Sequence, residues 1–120
     1  MSRLKRAIAH ILVCDHKHCL KRGARESMKE LRTTLREHEL RRSVLVTTVE
    51  CLDQCNDGPV VCVYPDGIWY REVDGECARR IVEEHLLHGR AIDRHVMHDM
   101  AQARAKCPLL ADLNKDDQGE

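Results

Sequence analysis

The sequence predicts an α/β domain in the order β-α-β-β-β-α, with helices packed on a small mixed sheet. Three observations predict it. Short runs rich in Val, Ile and Leu recur at residues 8–14, 43–49, 60–64 and 68–73. Two charged segments carry apolar residues at helical spacing. Glycine and proline punctuate the joints between these runs. Strands interleaved with helices are the signature of a layered domain.

The elements follow in order. Residues 8–14 (IAHILVC) read as a buried strand that ends on a cysteine, and Gly23 closes the loop behind it. Met28, Leu31 and Leu35 then recur through ESMKELRTTLREHEL with charges on the other face, which predicts a helix. Residues 43–49 (SVLVTTV) form the second strand, and Asn56-Asp57-Gly58-Pro59 form a turn. Residues 60–64 and 68–73 make a hairpin across Pro65-Asp66-Gly67. Asp74 caps the next helix, whose stripe is Ala78, Ile81, Val82 and Leu86, and Gly89 stops it. Ile92, Val96, Met100 and Ala103 predict an extra C-terminal helix ahead of Pro108 and the polar NKDDQGE. The expected organisation is one domain over residues 1–90 and a helical extension with a polar tail over 91–120. No internal repeat is visible.

Composition narrows the function. In 120 residues, Lys+Arg 20 balance Asp+Glu 20, so no global charge argues for nucleic acid or an anionic membrane. Phe is absent, and Trp69, Tyr64 and Tyr70 are the only aromatics, which leaves little for stacking bases. No stretch approaches the length of a membrane span, and the basic opening MSRLKRAIAH lacks the apolar core of a secretory signal. The expected address is cytoplasmic. There, clustered cysteines more often bind metal or carry redox chemistry than form structural disulfides.

Four of the seven cysteines fall into two tight pairs, Cys14-x4-Cys19 and Cys51-x3-Cys55. Each pair follows the end of a predicted strand. In a βαβ arrangement those ends meet at one edge of the sheet, where ligands tend to bind. Four thiolates on two loops suit a [2Fe–2S] cluster, with two sulfurs per iron. They also suit a structural zinc ion, whose pairs prefer two to four intervening residues. Spacing alone leaves these two open. A disulfide oxidoreductase is disfavoured because no C-x-x-C is present.

A resemblance decides between them. Cys14-x4-Cys19 followed by Lys21-Arg22-Gly23, Cys51-Leu52-x-x-Cys55 followed by Gly58-Pro59-Val60-Val61, and the hairpin segment Val63-Tyr64-Pro65-Asp66-Gly67-Ile68-Trp69-Tyr70 are three matching pieces. Together, across residues 10–87, they resemble the thioredoxin-like [2Fe–2S] ferredoxins. That group includes the Shethna-type proteins and is related to the small iron–sulfur subunit of NADH dehydrogenases. The resemblance implies a thioredoxin-like fold and one [2Fe–2S] cluster on Cys14, Cys19, Cys51 and Cys55. It further implies one-electron transfer to and from redox partner proteins, no catalysis by the chain itself, and a homodimer. The alternatives are a zinc-stabilised interaction module on the same cysteines and a relay subunit of a larger oxidoreductase.

The remaining chemistry-bearing residues read more plainly. Cys62 and Cys77 are expected as buried apolar thiols, and Cys107 lies in the extension. His16 and His18 stand between the first two ligands, and His85/His88 and His95/His98 are spaced i, i+3 on predicted helices. Four cysteines already complete a site, so none of these is needed as a ligand. Lys17, Lys21, Arg22 and Arg25 form a basic rim that either balances a cluster's charge or meets an acidic redox partner. Asp53 would bring a negative charge near a cluster and lower its potential. Trp69 and Tyr70 are expected in the sheet or at a dimer contact.

Overall fold

Strand β1 (Ala9–Cys14) alternates between two environments, with Ala9, Ile11 and Val13 pointing into a core and His10 and Leu12 half-buried on the other side. This is the two-residue period of a strand, and it sets the sides of the whole sheet. The computed structural model describes residues 3–14, 23–50 and 57–110. Helix α1 (Ala24–Glu37) starts at Gly23, whose φ of 100° is the left-handed region that glycine enters without penalty. It buries Ala24, Ser27, Leu31, Thr34 and Leu35. Inside it, the Thr34 hydroxyl donates back to the Glu30 carbonyl at 2.6 Å.

Strand β2 (Val44–Val49) returns parallel to β1, with Ala9 beside Val44 and Cys14 beside Val49. Strands β3 (Val61–Tyr64) and β4 (Ile68–Tyr70) form the expected hairpin, and β3 lies antiparallel to β1. Gly67 sits in the hairpin turn at a φ of 72°. A Cβ there would stand 2.7 Å from the Met100 Cβ, so only glycine fits both the conformation and the space.

Helix α2 (Gly75–Arg80) is capped by Asp74, whose carboxylate accepts the Cys77 N–H at 2.8 Å. It does not run on as an α-helix. Residues Ile81–Leu86 widen into a π-helix, and the buried stripe becomes Cys77, Ala78, Ile81, Val82 and His85. Leu86, expected in the stripe, is only partly buried, and His85 takes the inward position, held there by its hydrogen bonds to Tyr70 and Asp66.

The largest departure comes after Gly89. Residues read as one helix instead form a 3-10 turn (Asp93–His95), strand β5 (Val96–Asp99) and a short helix α3 (Met100–Lys106). Asp99 caps α3 by accepting the Gln102 N–H at 3.1 Å. Strand β5 pairs antiparallel with β4 and gives a five-stranded mixed sheet in the order β2-β1-β3-β4-β5. Pairing with the open edge of β4 satisfies backbone groups that a helix there would leave unpaired.

Helices α1 and α2 pack against each other on one side of the sheet. The core between them and the strands holds Ile11, Val13, Leu31, Leu35, Val61, Val63, Tyr70, Ile81 and Val82. The opposite side carries Cys14, Ala24, Val60 and Cys62 under half-buried Leu12, Tyr64, Trp69 and Met97. The residues beyond Gly89 are tied into the first core, since Ile92 is buried there and its N–H donates to the Tyr70 hydroxyl at 3.2 Å.

Candidate metal centre

Cys14 is the last residue of β1 and is buried. It is a free thiol, as are Cys62, Cys77 and Cys107. Its backbone N–H donates to the Val60 carbonyl at 3.2 Å, which fixes the strand end against the segment leading into β3. That segment, Asp57 to Val60, is held again from the other side. The Glu72 N–H donates to the Asp57 carbonyl at 2.8 Å and the Val73 N–H to the Pro59 carbonyl at 3.0 Å. Such backbone bonds make a rigid exit for the loop that precedes them.

The register supplies the rest of the frame. Val49 lies beside Cys14 on a parallel neighbour, so both strands deliver their next residues at the same edge. Adjacent strands stand about 4.8 Å apart. Cys51 follows Val49 by two residues, and Cys55 precedes the anchored Asp57 by two. Cys19, Cys51 and Cys55 themselves lie outside the described residues, as do His16, His18, Lys17, Lys21, Arg22 and Asp53. Arg25, the described member of the basic rim, is exposed on the first turn of α1.

The other cysteines keep to the core. Burial, followed by the neighbouring Cys14, pushes the Cys62 thiol up to about 12. Burial, followed by the Asp74 carboxylate, does the same for Cys77. Both therefore remain protonated and unreactive at neutral pH. Cys107, after α3, is partly exposed.

Among the described residues the histidine pairs form no metal site. His85 is 4% exposed while His88 is exposed, and His95 and His98 stand on the 3-10 turn and β5 rather than on one helix. Among the described residues no three His, Cys, Asp or Glu side chains converge on a metal position. His85 instead joins a polar network that the sequence reading missed. Its Nδ1 lies 2.7 Å from the Tyr70 hydroxyl and its Nε2 lies 2.6 Å from the Asp66 carboxylate. The tautomer that pairs every atom has Tyr70 O–H donating to Nδ1 and Nε2–H donating to Asp66. Burial pushes the Tyr70 hydroxyl up to about 12, so it stays a donor. The signal was present in the sequence, because His85 falls on the stripe of Ile81 and Val82.

Comparison with known proteins gives this frame a family. The family model of the thioredoxin-like [2Fe-2S] ferredoxins matches residues 2–86. The chain is 37% identical over 103 residues to a Priestia megaterium protein provisionally named a 2Fe-2S ferredoxin, covering 86% of this chain and 80% of that one. It is 34% identical over 97 residues to a 2Fe-2S ferredoxin of Aquifex aeolicus, covering 73% and 87% respectively. The crystal structure of the wild-type thioredoxin-like [2Fe-2S] ferredoxin from Aquifex aeolicus superposes with a TM-score of 0.69 at 34% identity. That superposition covers 77% of this chain and 98% of the other.

Proposed function

We propose that Cys14, Cys19, Cys51 and Cys55 hold the cofactor of this chain, which belongs to the thioredoxin-like [2Fe-2S] ferredoxin family. The chain is a ferredoxin, a one-electron carrier whose cofactor is a [2Fe-2S] cluster. The ligand set is supported above all by the in-register pairing of Cys14 with Val49, which sends both cysteine loops from one sheet edge. The buried free thiol of Cys14 fits that role, since a thiolate ligand shielded from water suits iron.

When bound, the cluster supplies the redox chemistry by taking up and giving back a single electron. The chain's residues do the holding and the shielding. Val60, Ala24 and Cys62 pack around Cys14 and keep water from it. The anchored Asp57–Val60 carbonyls keep the second loop's exit in place, and a stiff frame reorganises little when charge changes. The protein itself makes and breaks no substrate bonds in this reading. Its electrons come from, and go to, redox partner proteins such as a reductase or an oxidoreductase.

The same reading gives the chain a cytoplasmic address and a homodimeric state, with no nucleic-acid partner. Among the described residues no helix is long and apolar enough to cross a membrane. The dimer is supported by the sheet side that carries half-buried Leu12, Tyr64, Trp69 and Met97, whose buried cluster takes in Ala24 at the start of α1. In the same reading residues 1–90 form the cluster-binding unit, supported by a family match that ends at residue 86, and the segment from residue 91 completes its sheet through β5.

One purification tests the function. Aerobically purified protein should be red-brown, bleach with dithionite and then give a rhombic EPR signal. A colourless protein with stoichiometric zinc overturns it. For the ligands, Cys51→Ala should abolish the colour and Cys77→Ala should leave it; the reverse result removes Cys51 from the set.

A further inference from the structure

The edge strand β2 carries a second surface, remote from the cysteines. Helix α1 lies over β1 and against α2, so it leaves the helix-side face of β2 progressively uncovered. Along that face Val44 is buried, Val46 half-buried and Thr48 exposed. The open angle forms a groove of about 390 Å³, floored by Leu35, Val44 and Val46 and rimmed by Arg32, Arg36 and Arg41.

Two features of the groove are unspent. Among the described residues none of its three arginines is in an ion pair, whereas Arg79 and Arg80 on α2 are both engaged by glutamates. The strand beside it is also incomplete. β2 pairs with β1 alone, and its outer edge has no strand partner among the described residues.

We propose that the groove and the outer edge of β2 together bind an extended acidic segment of a partner protein, added to the sheet as a sixth strand. Guanidinium groups around an apolar floor select carboxylates, which they hold by paired hydrogen bonds. An open strand edge selects extended backbone. The repeats of the two elements agree. Arg32 and Arg36 are one helical turn apart, roughly 6 Å along the α1 axis. Alternate residues of an added strand are roughly 6.8 Å apart and fall on one face. Acidic residues at every second position would then lie beneath the arginines, their methylene stems on Val44 and Val46. The intervening apolar residues would lie on the other face, beside Leu45.

The groove lies at the start of β2, whereas Cys14 stands beside the end of that strand, roughly 17 Å further along. A segment seated here tethers its partner beside the cysteine edge without covering it. The inference does not need the ferredoxin reading, because strand addition and charge pairing are properties of this edge alone.

The test uses the full-length, cluster-bearing protein and a fluorescein-labelled peptide of alternating Glu and Val between terminal glycines, read by fluorescence polarisation. Binding should saturate, weaken with added salt, and fall at least tenfold when Arg32→Glu and Arg36→Glu are combined. A peptide with proline in place of two valines should bind at least tenfold more weakly, since proline cannot donate to the ladder. The proposal is overturned by an absence of saturable binding, by unchanged affinity in the double variant, or by equal binding of the proline peptide. An unchanged visible spectrum in the double variant assigns the lost affinity to the groove. A colourless protein that still binds the peptide would sink the ferredoxin reading and leave this one standing.

Discussion

Each side of the sheet carries a tyrosine whose hydroxyl is engaged, and the two engagements differ in kind. On the side under the helices, Tyr70 is fully buried and its hydroxyl meets His85 and the Ile92 N–H. On the other side, Tyr64 is half-buried and its hydroxyl accepts the Trp69 indole N–H at 3.2 Å. The first side is closed by the chain's own helices, so polar atoms there need internal partners, and among the described residues each buried side-chain nitrogen and oxygen has one. The second side has only a thin layer of half-buried residues above Cys14 and Cys62. Stability is therefore concentrated on one side, and the candidate function on the other.

The largest effect should come from the residue that links the C-terminal segment to the closed side. Ile92→Ala removes a side chain that is 2% exposed and should cost about 2–4 kcal/mol in unfolding monitored by far-UV CD. A loss below about 1 kcal/mol would mean that residues beyond Gly89 are an ornament on the fold. The tyrosine pair comes next. Tyr70→Phe strands both the His85 Nδ1 and the Ile92 N–H, and should cost about 2–3 kcal/mol. Tyr64→Phe loses one bond that water can replace and should cost less than about 0.5 kcal/mol. Equal costs would break the contrast between the two sides.

A third substitution addresses the open side directly. Trp69→Glu places a charge in its apolar layer and should convert a dimer to a monomer in light scattering, with the visible spectrum unchanged. A dimer that survives would move the contact elsewhere. A protein monomeric from the outset would leave this side bare to solvent, with no second copy to account for its apolar surface.

The same contrast explains what the sequence revealed. β1, α1, β2 and the hairpin were legible because each is a contiguous run bounded by Gly23, Gly58-Pro59 or Pro65-Asp66-Gly67, so local pattern and tertiary demand agree. The π-helix was not legible, since Ala78, Ile81, Val82 and Leu86 fit an ordinary helical stripe equally well. The network that rewards bringing His85 inward is tertiary. Strand β5 was hidden for a related reason. Ile92, Val96, Met100 and Ala103 happen to match helical spacing, and the free edge of β4 decided otherwise. That the two strands ahead of the cysteine pairs end side by side was legible from the strand ends; the register that sets Cys14 beside Val49 was not. Nothing local to Cys14 announced the three backbone bonds that anchor Asp57–Val60, because their donors lie on Cys14, Glu72 and Val73, far apart in sequence.

The smallest effects concern the spare thiols, and they separate the two sides most finely. Cys77 lies at 1% exposure on the closed side, and its raised value of about 12 keeps it protonated far above the usual 9.0 for a thiol. At pH 9 native protein should therefore be alkylated by iodoacetamide at the partly exposed Cys107, while Cys77 reacts only as the pH approaches 12 or after denaturation. The direction follows from which form reacts: raising the value removes thiolate at any pH below it. Cys62 is held up by burial in the same way, but its cover is the thin layer of Leu12, Tyr64, Trp69 and Met97. In the Trp69→Glu protein Cys62 should gain reactivity severalfold, and Cys77 should not change. If both thiols respond together, the variant has loosened the whole core and the two sides are one cooperative unit. If only Cys62 responds, the open side yields independently, as a surface built to be covered should.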